Sequence, residues 1–146
     1  MVGYQAYQKN EVTTSTPLGL VLLSYEALYK TLGRAKHAID GGDLAAEADH
    51  TSRAMEAIIE LSSSLNMEEG GDIAKDLAEL YGYMLRRLSE GLCSCSTSSV
   101  DEVMLLVSTL REAWQAISSE MVEHKESKVA PIPKPMQVAM GYGVCA

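Results

Sequence analysis

Asp72-Ile73-Ala74-Lys75-Asp76-Leu77-Ala78-Glu79-Leu80-Tyr81-Gly82-Tyr83-Met84-Leu85-Arg86-Arg87-Leu88-Ser89-Glu90-Gly91 is the stretch on which the fold turns. Ile73, Leu77, Leu80, Met84 and Leu88 recur at helical spacing and form one apolar row. Ala74, Ala78, Tyr81, Leu85 and Leu92 form a second row beside it. Together they are wider than the stripe of roughly 100° that a helix packed on one side requires. Two arrangements fit this width. Either the helix is central in a bundle and its own neighbours cover it, or part of its surface is a groove for a partner helix. Arg86 and Arg87 fall in the last turns, where positive charge complements the helix dipole.

Three further helices flank this one. The first is expected to start at Thr16-Pro17, with Thr16 as cap and Pro17 in the first turn, where a missing N–H costs nothing. Its inward residues are Leu18, Val21, Leu22, Tyr25, Leu28, Tyr29, Leu32, Ala35 and Ile39, and Gly41-Gly42 ends it. The second is expected over Asp43 to Asn66 with Leu44, Ala48, Met55, Ile58, Ile59, Ser62 and Leu65 inward. Asn66 to Gly71 reads as a glycine-marked break before the third helix begins near Asp72. Cys93 to Ser99 is Ser-rich and aperiodic, hence a loop. The fourth helix opens on Ser99-Val100-Asp101-Glu102, a capping-box pattern, and presents Val103, Leu106, Val107, Leu110, Trp114, Ile117 and Met121 inward.

Short connections between long helices imply antiparallel neighbours. The expected fold is all-α, an antiparallel up-down four-helix bundle over residues 16–124. An N-terminal arm, 1–15, precedes it and an irregular tail, 125–146, follows. Tyr4 and Tyr7 stand three residues apart on the polar arm, either as stray aromatics on an unstructured end or as a latch over a groove. In the tail, Pro131, Pro133 and Pro135 oppose helix, and Met136, Val138, Met140, Tyr142 and Val144 follow. That segment reads either as unstructured or as folding back into an apolar groove.

Bulk properties bound the rest. The chain has 146 residues, enough for one domain with its own core. Its 47% hydrophobic content is too high for a disordered chain. A net charge of −8 repels a phosphate backbone, so nucleic acid is not an expected partner. Three cysteines, no signal peptide and no long apolar run point to a cytoplasmic protein that does not insert in membrane.

The residues for chemistry do not assemble into a site. Glu47 and His50 make a Glu-x-x-His unit, but a di-metal bundle needs a second, and position 121, three before His124, is Met. Cys93 and Cys95 have only Cys145 to add, short of a four-ligand zinc site. Gly70-Gly71 lacks the lysine and preceding strand of a phosphate loop. No catalytic residue, cofactor or metal is expected.

An ordered set of blocks resembles the flagellar export chaperone family FliS. It consists of Tyr4 to Asn10 with Val12 and Thr16-Pro17, then Glu68 to Ala74, then Leu80-Tyr81-x-Tyr83-Met84 with Arg86-Arg87-Leu88, and finally Ala113-Trp114. The match runs over about residues 4–121. The resemblance implies a cytoplasmic four-helix chaperone, not an enzyme, that binds the C-terminal region of flagellin. It would prevent early polymerisation and deliver its client to the type III export gate. It implies a flagellin-binding groove at Ile73, Ala74, Leu77, Tyr81 and Met84, and contact of Tyr4 and Tyr7 with the gate or with the empty groove. Gly82 departs from the acidic residue usual in the family, as do the Ser-rich loop and the tail. The alternative is a helical adaptor without a secretion client that self-associates through its wide apolar faces. The same faces allow a homodimer when the chain is free.

Overall fold

Four helices follow one another: α1 (Pro17–Asp40), α2 (Leu44–Ser63), α3 (Met67–Gly91) and α4 (Ser98–Val129). The computed structural model describes residues 17–92 and 94–129, with side chains as far as Glu120. Tyr4, Tyr7 and the tail beyond Val129 lie outside the described residues. No strand occurs among those described, and the fold is an all-α four-helix bundle. Residues 23–110 form one compact unit that draws on all four helices. Residues 17–22 and 111–129 belong to a second, made of the first turn or so of α1 and the later half of α4.

Each connection in the larger unit has a local cause. At the end of α1 the Asp43 N–H donates to the Ala38 carbonyl (2.9 Å) and the Gly42 N–H to that of Ile39 (3.1 Å). This pair of bonds is a Schellman closure, and it needs the left-handed conformation that Gly42 adopts (φ +70). Asp43 then caps α2, its carboxylate accepting from the Ala46 N–H at 3.1 Å. Thus a three-residue connection closes α1 and opens α2.

The third helix starts earlier than its periodicity indicates. Asn66 is the cap, with its side-chain oxygen accepting from the N–H groups of Glu68 and Glu69. One helical turn follows, and the chain then kinks at Gly71 (φ 51, ψ −127) before the long segment begins. The glycine break is therefore a kink inside α3. A side chain at Gly71 would have open space around it but a backbone conformation that L-residues rarely adopt.

The capping box expected at Ser99 is not formed. The helix begins at Ser98, and Ser99 is buried. Thr97 holds this end instead: its carbonyl accepts from the Asp101 N–H and its hydroxyl donates to the Asp101 carboxylate. Glu102 is drawn away to α3. Beyond this, α4 continues to Val129, past Lys125 and two residues short of Pro131.

The core of the larger unit is aliphatic with two tyrosines. Tyr25, Leu28, Leu32, Ala35 and Ala38 enter it from α1, and Val100, Val103 and Val107 from α4. From α3 come Ala74, Tyr81, Met84 and Leu88. On α2 the inward row is Glu47, Thr51, Ala54, Ile58 and Leu61. The row expected there is corrected: Leu44 and Ile59 are exposed, and only Ile58 of that set is fully buried. The expectation followed side-chain type, whereas neighbouring helices bury two polar residues and leave two large aliphatic ones outside.

Polar ties fix the order of the helices. The Tyr25 and Tyr81 hydroxyls share a buried hydrogen bond of 2.6 Å that links α1 to α3. Lys36 pairs with Asp101 at 2.8 Å, linking α1 to α4. Glu102 accepts from Tyr83 and, at 2.6 Å, from Arg87, linking α4 to α3. α2 packs on α3.

Candidate functional site

Burial separates the five residues expected at a groove. Ala74, Tyr81 and Met84 are interior, with Tyr81 only 2% exposed and tied to Tyr25. Burial, and then the bond to Tyr25, pushes the Tyr81 phenol well above its ordinary titration range, so it stays neutral. Leu77 is half-buried, while Ile73 is 69% exposed. The structure therefore brings Ile73 and Leu77 to a surface and sets the other three behind it.

Periodicity missed what accompanies Ile73. In the unit spanning residues 23–110, Leu23, Leu44, Ile59, Met67, Ile73 and Leu105 are large apolar side chains left in water. Three of them, Ile59, Met67 and Ile73, sit where α2 ends and α3 begins, at one end of a helix pair in contact. The connection between the two helices is only three residues long, Ser64 to Asn66. Exposed carboxylates from the same stretch, Glu56, Glu60, Glu68, Glu69 and Asp72, accompany the apolar group. Isolated surface leucines need no explanation, whereas several exposed apolar side chains at one end of a hairpin mark it as a candidate contact surface. In the other unit Leu20 and Ile117 are also exposed.

The kink explains why Ile73 is outside. Gly71 rotates the chain between Met67 and Ile73, and Gly70 packs so closely that an added Cβ would lie 2.6 Å from the Ala74 Cβ. Ala74 turns inward on one side of this bend while Ile73 remains outward. Gly82 has no such role, because a Cβ there would meet only the Arg86 guanidinium at an ordinary 3.7 Å.

Glu47 is buried and His50 half-buried, but no group of three or more metal-binding side chains occurs among the described residues. None of the described helices is long and apolar enough to cross a membrane.

Known proteins resemble this chain over most of its length. The model of the family "Flagellar protein FliS" matches residues 1–121. The flagellar secretion chaperone FliS of Salmonella typhimurium is 33% identical over 121 residues, covering 80% of this chain and 90% of the relative. That of Bacillus subtilis is 35% identical over 118 residues, covering 80% and 87%. That of Vibrio cholerae is 28% identical over 120 residues, covering 80% and 88%. The blocks around Gly70-Gly71 and Tyr81 to Leu88 lie within the matched region and build the kink, the buried tyrosine pair and the α3–α4 tie. The chain belongs to the FliS family of flagellar secretion chaperones.

Proposed function

We propose that this chain is a cytoplasmic export chaperone that binds the C-terminal region of flagellin, keeps it from polymerising early and passes it to the type III export gate. Family membership supports the client, and the observation that carries the site is the exposed group Ile59, Met67 and Ile73 at the α2–α3 hairpin. A client segment that lacks stable structure before assembly loses conformational entropy when it is held, so the chaperone must offer apolar area to offset that loss. Ile73 and Leu77 contact the client in this reading, with Ala74, Tyr81 and Met84 as the packed support behind them. Tyr4 and Tyr7 of the arm contact the gate or cover the site when it is empty.

The experiment mixes the full chain with a flagellin C-terminal peptide and measures complex formation by calorimetry and sedimentation. A one-to-one complex is expected. Ile73→Asp should weaken it by about tenfold or more, since a carboxylate buried against an apolar client lacks a partner. The melting temperature should hardly move, because surface substitutions mostly stay within about 0.5 kcal/mol. A variant that binds as well as the parent would remove Ile73 from the site. Absence of any complex with the parent chain would remove the client.

A further inference from the structure

At the opposite end of α2 from the apolar group, the corner between α1 and α2 holds an open cleft of about 620 Å³. We propose that this cleft is a docking site for an acidic peptide segment of a partner protein. Its lining carries Lys30, Arg34 and His37 along α1 and His50 from α2, against one carboxylate, that of Asp43. Asp43 is already engaged as the α2 cap. The chain as a whole carries a net charge of −8, so this lining contrasts with its average.

The layout of the basic residues favours an extended acidic segment over a compact anion. Lys30, Arg34 and His37 succeed one another at steps of four and three residues, so the bases extend along about 10 Å of helix. That length suits several carboxylates in a row. At the corner the N–H groups of Gly41, Gly42 and Asp43 are bonded to the carbonyls of His37, Ile39 and Ala38. Gly33 also lines the cleft in the middle of α1, where glycine weakens a helix. Packing does not demand it, since a Cβ at this position would stand at an ordinary 3.9 Å from Met104.

His50 adds an independent sign. Its Nδ1 is buried and has no hydrogen-bond partner among the described residues. Buried polar atoms are nearly always satisfied, and an unpaired one at a cleft wall calls for an incoming group.

The test uses the full chain and a fluorescein-labelled hexaglutamate peptide, followed by anisotropy at low ionic strength. Saturable binding is expected, and Lys30→Glu combined with Arg34→Glu should weaken it by about tenfold or more. Gly33→Gln, which fills the floor without changing charge, should weaken it severalfold. Arg53→Glu combined with Lys75→Glu makes the same charge change outside the cleft and should leave binding within about twofold. Circular dichroism of each variant checks that the helices persist. Four results would overturn the proposal: no saturable binding, no effect of either cleft variant, an equal loss in the control, or displacement of the peptide by millimolar inorganic phosphate when chloride of the same ionic strength does not displace it. The last would mark a small-anion site instead.

Discussion

Tyr25 and Tyr81 bury two hydroxyls in a largely aliphatic core, and the bond between them offsets their desolvation. Either oxygen can donate, and the 2.6 Å separation is that of a good O–H···O bond. Tyr25→Phe keeps the ring packing but leaves the Tyr81 hydroxyl, 2% exposed, without the partner the structure gives it. An unsatisfied buried hydroxyl costs about 1–3 kcal/mol. A urea titration of Tyr25→Phe should therefore show a midpoint displaced downward by that amount with an unchanged slope. An unmoved midpoint would show that the pair orients α1 on α3 without stabilising the contact. Tyr81 illustrates how a residue inside a recognisable family block can serve the fold, buried against Tyr25, while Ile73 eight residues earlier lies exposed.

The α3–α4 corner depends on the absence of a side chain. A Cβ at Gly91 would lie 2.7 Å from both the Cβ and the Oγ of Ser99, which is itself buried. Gly91→Ala should then destabilise the bundle by about 1–3 kcal/mol through overpacking. Ser99→Gly removes both obstructing atoms, so adding it to Gly91→Ala should recover part of the loss, a coupling that a double-mutant cycle would measure. Additive losses would place the strain elsewhere.

The same corner shows what was legible in sequence. The faces of α1 and α4 within residues 23–110 follow their apolar periodicity because their inward positions are apolar. The face of α2 does not, since Glu47 and Thr51 take inward positions while Leu44 and Ile59 remain in water. Only the packing of neighbouring helices decides that exchange. Ser99-Val100-Asp101-Glu102 has the residue types of a capping box, yet Glu102 gains more from Tyr83 and Arg87 on α3 than from a local N–H. The candidate site was legible as a region on α3 but not as a surface. Both of its rows are apolar, and which of them other helices cover is a tertiary fact that periodicity does not carry.

At the scale of the whole molecule, two adjacent carboxylates at the start of α4 hold three helices together. Asp101 lies below its ordinary value of 3.8 because it accepts from Lys36 and then from Thr97. Glu102 lies below 4.5 because it accepts from Tyr83 and then from Arg87. A carboxylate whose titration is lowered by folding contributes stability that is complete above its unfolded value. That contribution is lost as pH falls through the lowered folded value. The window for this loss therefore opens near pH 4.5 and extends downward. A second effect acts in the opposite sense. The chain carries net charge −8 at neutral pH and reaches its isoelectric point near 4.8, so acidification first relieves self-repulsion. Melting temperature should hence hold or rise slightly from pH 7 to about 5 and fall steeply below it. Glu102→Gln separates the two effects, because it removes one linked carboxylate while changing the net charge by only one. This variant should melt lower than the parent at pH 7, where the parent keeps its charged acceptor for Tyr83 and Arg87. The two curves should converge as pH drops below 4. Parallel curves over the whole range would show that the acid limb comes from other carboxylates and that the tie between α3 and α4 is electrostatically idle.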